Sequence, residues 1–456
     1  MTFTLAQIAE VLRVECPAHG RITGFSVDTR TLQPGDLYFA LRGPAHDGND
    51  YIEQALENGA VGVVANRAAV GPVFVVPDTL AALQRLAAWA RARWNGDVVG
   101  ITGSAGKTST KDVVAALLST RWLVGKTQGN FNNHVGLPLS ILRLADDAEL
   151  AVLELGMNHA GEIRDLAKIA QPRVGVVTNV GTAHIEFFES IDGIAAAKRE
   201  LIESLPHDGV AVLNADDARV AAFAAKHSGK SITYGLSDDA MVRATGVRFF
   251  NEGTNFRVDD VPFETRLIGR HNVLNILAGI VVAGLYGISA RQLQEPVSEL
   301  VPGPMRGERL WRDGLLILND CYNSNPDAAK SMLGVLRDTQ AMRRIAVLGE
   351  MLELGHWSET LHREVGKYVV GSGVDVLVGI RGAAKSMVDA AIAAGMPASA
   401  AFFFNEPSEA GAYLRTIARE GDAILFKGSR GSRVEKALQA FLPAARESAA
   451  TTQAYS

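Results

Sequence analysis

Gly103-Ser104-Ala105-Gly106-Lys107-Thr108 is the densest piece of chemistry in this chain. The apolar run D-V-V-G-I-T precedes it, and a helical stretch is expected from Lys107 to Thr120. Glycines let backbone N–H groups approach phosphate oxygens, and a helix N-terminus adds positive potential. In such a loop Lys107 would reach the β- and γ-phosphates and the Thr108 hydroxyl would ligate Mg²⁺. The form is the short G-x-x-G-K-T, because the first glycine position of G-x-x-x-x-G-K-[ST] holds Ile101. The plainer alternative is a glycine turn with an exposed lysine. A dinucleotide reading of Gly100, Gly103 and Gly106 fits less well, since Lys-Thr after the last glycine suits a triphosphate and a metal.

Three downstream groups extend the pattern. Glu154 ends the apolar run A-V-L-E, and a carboxylate at the carboxyl end of a parallel strand faces the ligand crevice. It is either a Mg²⁺ ligand or a strand-end salt bridge. His184, in N-V-G-T-A-H, follows the next strand and is either a second metal ligand or a structural hydrogen bonder. Lys198, in I-A-A-A-K-R-E-L, is by residue type a solvated helix lysine, although Ile194 and Leu201 place it at the border of the buried face.

Amide-rich loops supply further candidates. Gly129 to Gly136 contains Asn130, Asn132 and Asn133, which suit a sugar, amide or peptide ligand or simply a turn. Asn158 and His159 lie just beyond Glu154. Near the C-terminus, D-C-Y-N-S-N-P follows one strand and K-G-S-R follows the last.

These groups require elements that carry their loops to one side. From Asp97, strands V-L-E-L, V-G-V-V-T-N and G-V-A-V-L-N alternate with helices over Gly161 to Ala170, Ile191 to Ser204 and Asp217 to His227. Near-continuous apolar strands alternating with helices predict a parallel sheet covered on both faces. Residues 241 to 268 predict an antiparallel ribbon, and a helix follows from His271 to Leu285. After the linker V-P-G-P-M-R-G the alternation restarts as a second doubly wound unit. Upstream, Thr4 predicts a cap for a helix over Leu5 to Leu12, and a small α/β domain runs to about Asn95.

Composition agrees. The 456 residues suit about three domains. Hydrophobic residues are 47% and charged residues 21%, enough for a large core. A net charge of −5 argues against a dedicated nucleic-acid or anionic-membrane binder. Two distant cysteines, Cys16 and Cys321, exclude a disulfide scaffold and a structural zinc site. The N-terminus has no basic region followed by an apolar core, and the apolar run Ile276 to Ile288 is shorter than the roughly 20 residues of a span. A reducing cytoplasm is the expected compartment.

Taken together, G-S-A-G-K-T-S-T-K, T-Q-G-N-F-N-N-H-V-G-L-P-L, L-E-L-G-M-N-H-A-G-E-I and G-R-H-N-V-L-N-I-L-A resemble the ATP-dependent Mur ligases of peptidoglycan synthesis. D-C-Y-N-S-N-P-D-A, V-L-G-E-M-L-E-L-G and F-K-G-S-R-G-S-R look like the last ligase of that series. S-V-D-T-R-T-L-Q-P-G-D-L-Y-F-A-L-R-G is similar to its N-terminal domain.

The resemblance implies an α/β fold of three domains. These are a small N-terminal α/β UDP-binding domain over 1–95, a central parallel-sheet P-loop ATPase domain over 96–304, and a C-terminal Rossmann-like α/β domain over 305–446. A flexible tail over 447–456 would follow. The implied reaction adds D-alanyl-D-alanine to a UDP-N-acetylmuramoyl-tripeptide at the expense of ATP, through an acyl phosphate and a tetrahedral intermediate. ATP and Mg²⁺ are the implied cofactors, and the implied state is a cytoplasmic monomer without nucleic-acid or membrane partners.

Residue by residue, the resemblance assigns catalysis to Lys107, Glu154, His184 and Lys198. It assigns ATP to Gly103, Ser104, Ala105, Gly106, Lys107, Thr108, Ser109, Asn272, Asn275, Arg306 and Asp320. Thr108, Glu154, His184 and Lys198, the last as a carbamate, would hold metal. Ser26, Asp28, Thr29, Arg30, Asn130, Asn133, Asn158, His159, Asn323 and Asn325 would contact substrates. The stretch around Arg306 reads P-G-P-M-R-G-E-R and departs from the family's P-x-x-G-R. A sister ligase that adds a single amino acid is the nearest alternative; its D-N-P-R signature is absent.

Overall fold

The computed structural model describes residues 1–442; the tail expected over 447–456 lies outside them. Two compact units are present. Met1–Arg248, Gly253–Leu267 and His271–Val301 form one, and Phe249–Glu252, Ile268–Arg270 and the chain from Pro302 form the other.

The first unit opens with strand β1 (Phe3–Thr4) and helix α1 (Leu5–Leu12). Thr4 and Gln7 form a reciprocal capping box, which satisfies amides that the first helical turn would otherwise leave unpaired. Then follow β2 (Arg21–Ile22), β3 (Gly24–Ser26), β4 (Asp36–Phe39), α2 (Ile52–Glu57), β5 (Gly62–Ala65), β6 (Val73–Val75) and α3 (Thr79–Arg93). Strands β3 to β6 form a four-stranded parallel sheet in sequence order. Its core is small, built on Leu32, Tyr38, Ile52, Ala55 and Val63. Phe3 packs edge-on to Phe25 and against Trp89, with ring centroids 6.0 and 5.1 Å apart.

The same unit continues with β7 (Asp97–Thr102), α4 (Lys107–Leu118), β8 (Val124–Lys126), α5 (Gly136–Leu142), β9 (Leu150–Glu154), α6 (Glu162–Ala170), β10 (Val174–Val177) and α7 (Ile191–Glu203). After them come β11 (Val210–Asn214), α8 (Ala218–Ala221), β12 (Lys230–Gly235), β13 (Val242–Phe249), β14 (Thr254–Val258), β15 (Val261–Thr265), α9 (Arg270–Leu285) and α10 (Gln294–Ser298). Nine strands form one sheet in the order β15-β14-β13-β12-β11-β10-β7-β9-β8. Strands β8, β9, β7, β10, β11, β12 and β13 pair in parallel, and β14 and β15 pair antiparallel as the expected ribbon. Parallel strands need both faces covered, which is why β9 and β10 are buried at every residue.

One expectation changes. The helix predicted from Asp217 to His227 is α-helical only over Ala218–Ala221 and tightens to a 3₁₀ turn over Ala222–Lys226. Asp217 caps it as expected, but the chain must enter β12 at Lys230, and the His227 ring bonds Gly209 O at 3.0 Å on the way. Helix α5 follows the amide-rich loop, and its seven consecutive buried residues override the weak propensity of Gly136 and Pro138.

The second unit contains β16 (Glu308–Arg312), β17 (Leu315–Asp320), α11 (Pro326–Asp338), β18 (Arg343–Gly349), α12 (Ser358–Gly371), β19 (Val376–Ile380), α13 (Ala384–Ala393), β20 (Ala401–Phe404), α14 (Pro407–Ile417), β21 (Asp422–Lys427) and α15 (Glu435–Phe441). Its sheet runs β16-β17-β21-β18-β19-β20, parallel except at the β16 edge. This is a doubly wound α/β sheet. No helix among the described residues is long and apolar enough to cross a membrane.

Candidate active site

Gly103 and Gly106 turn the chain from β7 into α4 with φ of 151° and 78°. A Cβ on Gly103 would lie 1.8 Å from Thr178 Oγ1, so only glycine fits there. The loop is pinned from β10's end: Asn179 accepts the Ser104 amide through its backbone carbonyl at 3.0 Å and the Ala105 amide through Oδ1 at 2.8 Å. Thr178 Oγ1 and Asn179 Nδ2 both donate to Ala105 O, at 2.6 and 3.0 Å. Asn179 was not singled out in the sequence, although its place after a parallel strand was the available signal. With Ser104 and Ala105 committed to it, the anion-facing part of the loop is the first turn of α4, where the helix dipole is most positive. Lys107 folds its ammonium back onto Gly103 O at 2.8 Å.

Glu154 is 1% exposed and ends β9, beside β7. Its carboxylate accepts from the Thr108 hydroxyl at 2.9 Å and from Asn132 Nδ2 at 2.7 Å. Asn132 is therefore the amide of the 129–136 loop that meets the crevice. Asn133 instead spends Oδ1 on the amides of Val135 and Gly136, at 3.1 and 2.9 Å, where α5 begins. Sequence could not rank these three asparagines, since register within an irregular loop is set by packing. His184 follows β10 in the left-handed region, φ 63°, an uncommon conformation concentrated at functional sites.

Lys198 overturns its reading as a solvated helix lysine: it is 1% exposed. Burial, then the nearby Lys107 ammonium, hold its pKa well below the ordinary lysine value. A buried amine of this kind favours the neutral, nucleophilic form. Among the described residues no group of three or more His, Cys, Asp or Glu is placed to hold a metal ion.

Further candidates fall near β3, on α9 and in the second unit. Near β3, Arg30 forks onto the Asp28 carboxylate at 2.6 Å and holds its pKa below the usual carboxylate range. Ser26 Oγ donates to Asp28 O, and Thr29 is held by Gln54 at 3.1 Å. On α9, Asn275 and Asn272 are buried and bonded to each other at 3.2 Å. Asn275 Oδ1 also accepts from Thr110 at 2.9 Å, which puts the pair behind the phosphate loop. In the second unit, Lys427 donates to Asp320 at 2.5 Å and to Asn323 O at 3.0 Å while only 2% exposed. Asn325 caps α11 through the Ala328 amide at 2.9 Å, and the Arg306 guanidinium stacks 3.8 Å from the Tyr322 ring centroid.

Residues 21–91 match the Mur ligase family catalytic domain, 101–283 the Mur ligase middle domain, and 305–430 the Mur ligase glutamate ligase domain. The UDP-N-acetylmuramoyl-tripeptide–D-alanyl-D-alanine ligase of Synechocystis is 39% identical over 90% of this chain and 89% of its own length. A crystal structure of MurF from Acinetobacter baumannii superposes with a TM-score of 0.89 at 27% identity, covering 97% of this chain and 99% of that one. A MurF ligase from Thermotoga maritima, solved with ADP, gives 0.83 at 29% identity, covering 92% and 96%.

Proposed function

The chain belongs to the Mur ligase family, and from that premise we propose that it joins D-alanyl-D-alanine to a UDP-N-acetylmuramoyl-tripeptide, consuming ATP. The carrying observation is the phosphate loop tied through Thr108 to the buried Glu154 at the ends of adjacent parallel strands. The relatives' shared name favours the dipeptide over a single amino acid as the added group. The ADP complex of the Thermotoga relative supports ATP as the phosphoryl donor.

A carboxylate is a poor acylating agent. The tripeptide's terminal carboxylate therefore attacks the γ-phosphorus, ADP leaves, and the dipeptide amine attacks the resulting acyl phosphate. Several anionic groups meet in the first step. Lys107, held over the loop, offsets their repulsion and stabilises charge as it shifts to the leaving oxygen.

The donor set fits Mg²⁺. Glu154 and Thr108 are hard oxygen donors converging on one spot, and Mg²⁺ asks for one or two carboxylates alongside substrate phosphates. Thr108 and Glu154 would hold one ion and Glu154 with His184 a second. Bound there, it would supply charge neutralisation and alignment of the phosphates. Asn132 fixes the carboxylate's orientation. Lys198, whose pKa burial lowers, has the chemistry to take up CO₂ as the carbamate the family uses, which turns a buried amine into a carboxylate-like ligand.

The three-domain division at 95/96 and 304/305 belongs to this proposal. So do the ATP roles of Ser109, Asn272, Asn275, Arg306 and Asp320, and the substrate roles of Ser26, Asp28, Thr29, Arg30, Asn130, Asn133, Asn158, His159, Asn323 and Asn325. A cytoplasmic monomer acting on two small molecules is the accompanying picture. Coupled release of ADP tests it: purified enzyme with Mg²⁺, ATP and tripeptide should form pentapeptide with D-alanyl-D-alanine. Lys107→Ala should abolish this while UDP-substrate binding persists. Failure to couple ADP release to a new amide with any acceptor rejects the reading.

A further inference from the structure

We propose that His159, oriented by Glu162, accepts the proton that the dipeptide's amine nitrogen sheds as it attacks the acyl phosphate. This rests on the ligase reading above and adds a role to a residue so far assigned only to substrate contact.

His159 lies on the loop that leaves β9 after Glu154. Its Nδ1 faces Glu162 Oε1 at 3.2 Å. The other oxygen, Oε2, accepts the amides of Asn158 and His159, at 2.7 and 3.2 Å. That division of labour is informative. Oε2 holds the Asn158 and His159 amides without the ring, so these contacts before α6 do not need the imidazole. Oε1 is left for Nδ1–H, and an imidazole protonated at Nδ1 presents the Nε2 lone pair as a base. The carboxylate then also stabilises the imidazolium that forms.

The turn is fixed from beneath. Glu200, 4% exposed, accepts the amides of Gly161 and Arg164 at 2.7 and 3.0 Å. The His159 ring packs on Phe187, with centroids 5.0 Å apart, and Phe187 ends the 3₁₀ turn that His184 opens. The dyad thus sits between the loops that carry Glu154 and His184. The His159 side chain is 62% exposed, so an incoming amine can reach it.

The step balances. The acyl phosphate dianion and the dipeptide ammonium give amide, hydrogen phosphate and one proton. One nitrogen proton passes to His159 Nε2 and then to water, which frees the lone pair. The C–N bond forms, the C–O bond to phosphate breaks with its electron pair on oxygen, and the second nitrogen proton passes to the departing phosphate.

Hydroxylamine separates this step from the first, because it captures acyl phosphates as hydroxamates without a base. Wild-type enzyme, His159→Gln and Glu162→Gln are each given ATP, Mg²⁺ and tripeptide, with saturating D-alanyl-D-alanine or with hydroxylamine. His159→Gln should lose about 100-fold in kcat for pentapeptide and far less in hydroxamate formation at saturating tripeptide, and Glu162→Gln should lose about tenfold in kcat for pentapeptide. The inference is overturned if both products fall together, if pentapeptide formation is unchanged, or if excess dipeptide restores it. A wild-type enzyme that forms neither product overturns the ligase reading and this inference with it.

Discussion

The Thr108 hydroxyl donates to Glu154 Oε2 at 2.9 Å, which ties the first turn of α4 to the last residue of β9. The two residues are far apart in sequence and belong to adjacent strand–loop units of one sheet. Glu154→Gln keeps the shape and removes the charge. We expect ATP turnover to fall by about 10- to 100-fold and the Mg²⁺ requirement to rise. ADP release titrated against Mg²⁺ measures both. An unchanged Mg²⁺ midpoint would show that Glu154 does not hold the ion.

Gly103→Ala tests the loop itself. The new methyl carbon would meet Thr178 Oγ1 at 1.8 Å, and φ of 151° suits glycine alone. The loop must shift, at a cost of about 1–3 kcal/mol, with weakened nucleotide binding. Thr178→Ala removes the obstructing oxygen, so the double variant should recover part of the loss despite the strained φ. Urea midpoints and ATP titration of the three variants read this out. Strictly additive losses would mean the contact with Thr178 is not what excludes a side chain.

The loops of this site were legible where local sequence alone dictates geometry. G-S-A-G-K-T needs glycines at its two positive-φ positions, and A-V-L-E delivers a carboxylate to a strand end because parallel strands are apolar throughout. Lys198 was legible only through the family resemblance, not from its local sequence. Its helix face borders apolar residues, but whether a lysine there reaches solvent is decided by what packs over it. Asn132 and Asn179 were hidden for a related reason: asparagine is common in turns, and only folding shows which amide meets Glu154 and which pins Ala105. The shortened α8 shows the same limit, since Ala-rich sequence favours helix while the path to β12 ends it.

Lys427 is buried in the second unit and bonds Asp320 at 2.5 Å. Lys427→Met would leave that carboxylate without its cation. Removing one partner of a buried pair costs about 3–5 kcal/mol, so the urea midpoint should fall clearly. If Asp320 contacts the ribose, the KM for ATP should rise as well, because Lys427 also fixes Asn323 through its carbonyl. A fall in stability with unchanged KM would confine the pair to folding.

Lys198 gives a pH signature whose sign is fixed. Its folded pKa lies well below the ordinary lysine value of 10.5, through burial and then the Lys107 charge. Between those two values the unfolded chain holds a proton that the folded chain lacks. Stability of CO₂-free enzyme should therefore rise with pH across that window, by about 1.4 kcal/mol per unit from this group, and level off above 10.5. Lys198→Met should lack that contribution, so the difference between the two urea-midpoint profiles isolates it. Supplying ¹³C-bicarbonate should then add a carbamate NMR signal to the wild type that the variant lacks. Parallel stability profiles would mean that the amine is protonated in the fold, and a protonated amine cannot take up CO₂.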